Sequence, residues 1–231
     1  KLMNTVDFSK KIALIFGATG CFGENISYEM ARLNIKLILV GQRIDKLEEI
    51  DDNIKKINNI TSTLVPLDIS HTKSIEKLRP IIFEKYKKID ILINSASFFP
   101  KLSPVSHIPP KDFNKLININ IIAAWNIIRV FEPLLKISDS GKVYFMVCKK
   151  KKYQEPYFSP YILSSKGIEV LVNSWNKEIN RSNLKVSTYD PGPLLSNLRK
   201  KSFPGESQKS LVTPQIAAKK FINKLKKSYL E

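Results

Sequence analysis

The chain has 231 residues, enough for one domain with a sizeable core and too few for two large ones. Its apolar fraction of 43% contains no long uncharged run, which argues against a membrane span, and Lys1 to Lys10 lacks the apolar centre of a signal peptide, so a cytoplasmic protein without a membrane partner is expected. The net charge of +17 is spread over nearly every predicted helix, so it does not favour nucleic acid as a partner.

Ile12, Ala13, Leu14, Ile15 and Phe16 form an unbroken apolar run, as expected of a strand buried on both faces. Gly17, Gly20 and Gly23 follow three apart, and Phe22 to Leu33 has helical spacing through Phe22, Ile26, Met30 and Leu33. Strand, glycine turn and helix in that order read as a phosphate-binding corner, where backbone N–H groups can approach a pyrophosphate and the helix N-terminus faces it with positive partial charge; an ordinary tight strand-to-helix turn is the alternative, and the surrounding context favours the nucleotide reading. Ile35 to Val40 is a second strand. The helix after it carries Ile44, Leu47, Ile50, Ile54 and Ile57 on one stripe. Val40 to Arg43 holds no carboxylate to accept from an adenosine ribose, whereas the Arg43 guanidinium suits a 2′-phosphate, so NADP(H) is preferred over NAD(H), with Arg43 as a solvated loop residue the alternative.

Ser62 to Leu67 reads as a third strand, Thr72 to Lys87 as a helix and Ile89 to Ile93 as a fourth strand. Phe98 to Pro110 is a proline-rich loop. A long helix from Lys111 to Lys136, interrupted by Pro133, precedes a fifth strand, Lys142 to Val147. Ile162 to Asn180 is a helix, Leu184 to Tyr189 a sixth strand, and Thr213 to Tyr229 a basic amphipathic helix. The alternation predicts a single α/β domain over residues 1–231, a doubly wound parallel sheet of about six strands with helices on both faces and the ligand across the strands' carboxyl ends. Cys21 and Cys148 have no metal-ligand spacing and are expected as reduced thiols.

With these elements placed, the chain resembles the short-chain dehydrogenase/reductase family over nearly its whole length. Gly17-Ala18-Thr19-Gly20-Cys21-Phe22-Gly23 is similar to the family's glycine motif, in the spelling of its extended members, with Cys21 where short members have glycine. Asp68, followed by Ile69, resembles the aspartate that contacts adenine. Asn94-Ser95-Ala96-Ser97 resembles the NNAG segment with two serines substituted, and Asn120 matches the asparagine of the catalytic tetrad. Pro191-Gly192, with Ser196, resembles the segment that holds the nicotinamide, and Leu194 to Pro204 the mobile substrate loop. The wording around PLLKISDSGKV and SFPGESQKSLVTP is similar to a proteobacterial branch of cytoplasmic oxidoreductases. The resemblance implies a small alcohol or carbonyl substrate and a homodimer paired through the helices at 111–136 and 162–180. Phe98, Phe99, Tyr153 and Tyr157 are candidates to line the substrate pocket, with core packing as the alternative.

The catalytic stretch departs from the family. There a serine at the end of strand five precedes a tyrosine by about thirteen residues, and a lysine follows four later, so that its ammonium sits beside the phenol and the pair exchanges a proton with the substrate oxygen. Tyr161 lies thirteen residues after Cys148, which stands where the serine belongs. Lys166, however, is five residues after Tyr161, and the residue four before it is Ile162. Five helical steps separate two side chains by ~140° and four by ~40°. Either an extra residue is absorbed by a bulge or by a helix starting after Tyr161, or the tyrosine is lost to Ile162. Lys149 to Lys152 replace the usual small residues and read as solvated. The leading reading is an NADP(H)-dependent oxidoreductase with Asn120, Cys148, Tyr161 and Lys166 as a degraded or rearranged tetrad. The second is a catalytically inactive nucleotide-binding or partner protein on the same fold. A basic nucleic-acid-binding protein ranks third.

Overall fold

The computed structural model describes residues 6–149, 156–179, 182–203 and 205–230. Lys150, Lys151, Lys152 and Tyr153 of the lysine-rich loop, together with Asn180 and Pro204, lie outside the described residues. Six strands, β1 (Ile12–Phe16), β2 (Lys36–Gly41), β3 (Thr63–Pro66), β4 (Ile91–Asn94), β5 (Lys142–Met146) and β6 (Lys185–Tyr189), form one sheet in the order β3-β2-β1-β4-β5-β6. Every pairing is parallel; Leu14 of β1 aligns with Ile38 on one side and Leu92 on the other. The chain winds one way from β1 to β3 and the other way from β4 to β6, which opens a crevice above the carboxyl ends of β1 and β4.

The burial of β1 explains why its sequence is a continuous apolar run. Ala13 and Ile15 pack into the layer of α1 (Cys21–Ala31), α2 (Ile44–Asn58) and α8 (Pro214–Ser228), where they meet Ile26, Leu47 and Phe221. Leu14 and Phe16 pack into the opposite layer of α3 (Thr72–Tyr86), α5 (Ala123–Lys136) and α6 (Ser159–Glu178), with Ile75, Phe131 and Val172. With both faces covered, no position in the strand can be polar without losing a hydration shell.

The helical region after the proline-rich loop differs from the expectation of one helix broken at Pro133. It comprises α4 (Pro110–Ile117), a π turn over Asn118–Ile122 and α5, which continues through Pro133 to Lys136. An interior proline costs about 3 kcal/mol. Burial of Phe131, Leu134 and Leu135 around it contributes about 1.5–3 kcal/mol each and outweighs that cost. The sixth helix also starts earlier than expected, at Ser159, because Pro160 sits in its first turn, where a missing N–H leaves no bond unmade. A short helix, α7 (Asn197–Ser202), lies within the segment after β6. Among the described residues no helix is long and apolar enough to cross a membrane.

Candidate active site

The crevice floor is the glycine turn. Gly17 has φ 75°, and a Cβ there would come within 2.5 Å of the Ala96 nitrogen; one on Gly23 would collide with the Gly17 carbonyl. Ser95, whose side chain the altered NNAG segment supplies, ties the turn to β4: its amide and hydroxyl both donate to Phe16 O, at 3.0 and 2.9 Å. Asn94 is buried, and its Oδ1 accepts from the Ala96 amide at 3.2 Å. By contrast, a Cβ on Gly20 would meet only the Gly17 carbonyl, at 3.3 Å, and Gly20, the residue before α1, gives the helix no side-chain cap. The fold therefore packs tightly beneath the turn and leaves the helix N-terminus open above it.

The flanking candidates take distinct places. Arg43 caps the backbone entry to α2, and its Nη2 donates to Thr19 O at 2.7 Å, bringing the guanidinium to the rim of the glycine turn. Thr19 packs against Gly41, where a Cβ would come within 2.7 Å of its methyl carbon. At the end of β3, the Asp68 carboxylate accepts from the Ser70 amide at 2.8 Å. Burial raises its pKa, but the bonds from Ser70 and Gln42 outweigh that and hold it below the ordinary value. The Phe22 and Ile69 side chains are buried in the core, Phe22 stacked on Tyr189. Cys21 opens α1 and lines a pocket together with Ser196. Beside them the Asp190 carboxylate accepts from the amides of Lys149 and Gly192, at 2.8 and 2.7 Å, and Gly192 takes φ 76°.

The π turn aims Asn120 inward, where Oδ1 accepts from the Phe98 amide at 2.8 Å and Nδ2 donates to Phe98 O at 2.9 Å. Asn120 thus clamps the loop leaving β4, and Lys115 lies over the Phe98 ring at 4.5 Å. Tyr161 is buried, stacked on Phe99 with ring centroids 4.2 Å apart, and its hydroxyl shares a 2.9 Å hydrogen bond with Ser202 of α7. Tyr157, in contrast, is exposed and has φ 77°.

α6 is α-helical throughout, so neither the bulge nor the late start is found. Tyr161 stays on the buried side, and the residue four steps on is Ser165, also buried, whose Oγ accepts from the Cys148 amide at 3.0 Å. Lys166 lies on another face, 63% exposed, with its ammonium 2.6 Å from Glu169. Cys148 and Tyr161 remain close enough to couple electrostatically, while the ammonium is turned away. Burial first, then the Cys148 sulfur, push the phenol above its ordinary pKa; the Ser202 bond and the Arg199 charge act the other way. Sequence reasoning missed Ser165 and Ser202. The signal for Ser165 was its place four after Tyr161; Ser202 lies within Leu194 to Pro204, the stretch resembling the substrate loop, but its pairing with a phenol 41 residues away had no sequence signal.

A sequence model described as short chain dehydrogenase matches residues 11–207. The Dehydrogenase/reductase SDR family protein 7-like of Drosophila melanogaster is 23% identical over 198 residues, which are 84% of this chain and 60% of that protein. The chain therefore spans about 60% of the length of such curated relatives. YciK of Escherichia coli, described as an uncharacterized oxidoreductase, is 23% identical over 206 residues, 88% of this chain and 81% of its own length. Among solved structures, a short chain dehydrogenase from Shigella flexneri complexed with NADP has a TM-score of 0.87 at 22% identity, covering 93% of this chain and 92% of that one. One from Escherichia coli complexed with NADPH also has a TM-score of 0.87 at 22% identity, covering 92% and 89%. The structural likeness is one of fold; the sequence match over residues 11–207, a stretch that contains the glycine turn and β1 to β6, shows that the chain belongs to the short chain dehydrogenase family.

Proposed function

We propose that the chain is an NADP(H)-dependent oxidoreductase acting on an alcohol or carbonyl substrate, with its proton-transfer step impaired by displacement of the lysine. The observation that carries this reading is the face of α6: Tyr161 and Ser165 buried together, Lys166 exposed on Glu169. The cofactor reading is supported by the cradle, closed beneath Gly17 and Gly23 by close backbone packing and open above Gly20 at an uncapped helix N-terminus. Gly17, Thr19, Gly20, Cys21, Phe22 and Gly23 would hold the diphosphate through backbone groups, Arg43 the 2′-phosphate, and Asp68 with Ile69 the adenine. Asn94, Ser95, Ala96, Pro191, Gly192 and Ser196 would flank the nicotinamide end, which Lys166 reaches only by leaving Glu169. NADP and NADPH in related structures support the same choice.

When bound, the cofactor supplies or accepts the hydride. This chain's own part is the proton: Tyr161 donates it to the substrate oxygen from a buried position, Cys148 presents a weaker donor than the family serine, and Asn120 fixes the loop that carries Phe98 and Phe99. A phenol held above its ordinary pKa, with the Lys166 ammonium turned onto Glu169, transfers a proton less readily at neutral pH. The second reading, an inactive NADP(H)-binding partner protein, is favoured by the Lys166–Glu169 pair. NADPH fluorescence titration followed by NADPH oxidation against a ketone and diketone panel separates the two. Binding with slow turnover abolished by Tyr161→Phe supports the enzyme; binding without turnover supports the partner protein. A homodimer through α5 and α6 in the cytoplasm completes the proposal, supported by exposed Trp125, Leu163 and Val170 on those helices, and light scattering of the purified chain tests the pairing.

A further inference from the structure

We infer that α7 supplies what Lys166 has vacated: Ser202 exchanges the proton with Tyr161, and Arg199, a positioning residue, is the cation held near the phenol. The inference rests on the oxidoreductase reading of the same site. The Tyr161 and Ser202 oxygens are 2.9 Å apart, a direct hydrogen bond between groups from distant parts of the chain. Arg199 precedes Ser202 by three residues, which puts both on one side of α7.

Each side of this arrangement is fastened. Ser196 caps α7, its Oγ accepting from the Arg199 amide at 3.1 Å. The Arg199 guanidinium is forked onto Glu206 with both contacts at 2.7 Å and lies 3.6 Å over the Phe203 ring. Phe203 stacks on Phe158 at 5.5 Å, and Phe158 packs at 6.2 Å against Tyr161 itself. A ladder of rings thus joins the guanidinium to the phenol, and a planar, permanently charged group suits such a stacked site better than an ammonium. Among the described residues, the titratable groups acting on Tyr161 are Arg199 from α7 and Cys148 from the end of β5; Phe99 and Phe158 bring no charge, and Lys166 faces Glu169. Arg199 favours the phenolate and Cys148 opposes it. The local field is strong because Tyr161 is buried.

The proton accounting closes without a further reactant. As a carbonyl is reduced by the cofactor's hydride, the carbonyl π pair moves onto oxygen and bonds to the Tyr161 proton. The phenolate so formed takes the Ser202 hydroxyl proton while Ser202 takes one from water, so that one solvent proton is consumed per turnover. Oxidation of an alcohol runs the same path in reverse.

The test uses the full chain, NADPH and diacetyl as the probe ketone, with kcat and KM measured across pH, and the Tyr161 titration followed by carbon-labelled tyrosine NMR, assigned with Tyr161→Phe. Ser202→Ala is expected to lower kcat roughly tenfold while leaving the KM for NADPH in place, and Ser202→Thr to restore it. Arg199→Met is expected to move both the alkaline limb of kcat/KM and the Tyr161 titration to higher pH, Arg199→Lys to return them, and Glu206→Gln to move them lower. Turnover that ignores Ser202→Ala and Arg199→Met, with the Tyr161 titration unmoved, overturns the inference and leaves the oxidoreductase reading standing. NADPH binding without turnover removes that reading and the Ser202 exchange with it, and the Tyr161 titration in Arg199→Met then decides the placement of the cation.

Discussion

Tyr161 and Ser165 lie one helical turn apart on the buried face of α6, and Ser165 holds the position, four residues on, where the family places its lysine. The ammonium is one residue further along and points to solvent. Restoring it at its usual place is a direct test. Ser165→Lys combined with Lys166→Ala is expected to raise NADPH-dependent diacetyl reduction at least tenfold, at the low end of what acid–base catalysis contributes. The same change gives up the Cys148 amide bond, worth about 1 kcal/mol, and buries a charge, so the melting temperature falls. A folded, NADPH-binding variant with no gain in rate would falsify the view that the displaced lysine limits the reaction.

Cofactor choice turns on Arg43. Its guanidinium reaches the rim of the glycine turn on the Thr19 carbonyl, and a charge-assisted bond to a 2′-phosphate is worth about 1.5–3 kcal/mol. Arg43→Ala is expected to weaken NADPH binding at least tenfold and NADH binding far less, as read by fluorescence titration. Equal weakening of both would place the guanidinium elsewhere.

The sheet and most helices were legible because their signals are local. Ile12 to Phe16 is apolar at every position since both faces of β1 are covered, and the glycine spacing follows from the close approach of Gly17 to Ala96 and of Gly23 to Gly17. What stayed hidden depends on contacts distant in sequence. The π turn at Asn118–Ile122 is stabilised by the loop at Phe98, and Pro133 is carried by the packing of Phe131, Leu134 and Leu135. Counting back from Lys166 assumed that the lysine keeps its place in the fold. Counting forward from Tyr161 leads to Ser165, and only the burial of α6 decides between the two.

Gly20 and Gly23 separate folding from binding. A Cβ on Gly20 meets one carbonyl at 3.3 Å, so Gly20→Ala is expected to fold with a melting temperature within a few degrees of wild type and to bind NADPH at least tenfold more weakly, because the methyl group occupies the approach to the α1 N-terminus. Gly23→Ala drives its methyl into the Gly17 backbone and is expected to cost about 2–4 kcal/mol of stability, read by urea unfolding. If Gly20→Ala binds NADPH normally, the diphosphate does not lie over this turn.

At the amino end of the sheet, away from the crevice, a buried carboxylate and a phenol set the response to alkali. Asp90 is fully buried: it accepts from the Ile12 amide at 3.0 Å, the Ser138 hydroxyl at 2.6 Å and the Lys88 ammonium at 2.9 Å. The Tyr229 ring lies near it, with Lys11 and Lys142 at 5.2 and 5.1 Å from the ring centre. Burial, and secondarily the Asp90 charge, push the Tyr229 phenol well above its ordinary pKa. The folded chain therefore holds this proton more tightly than the unfolded chain, whose phenol titrates near pH ~10. Stability from this group is complete below that pH and is lost as pH rises toward the folded pKa, by at most about 1.4 kcal/mol per pH unit. Urea unfolding at pH 8 and again above pH 10 is expected to show a smaller alkaline loss in Tyr229→Phe than in wild type. Asp90→Asn is expected to lower stability at neutral pH by about 3–5 kcal/mol, since it leaves the lysine partners uncompensated, and to shrink the alkaline loss as well. An alkaline loss identical in wild type and Tyr229→Phe would assign it to the other phenols held above their ordinary pKa, Tyr28, Tyr161 and Tyr189, instead.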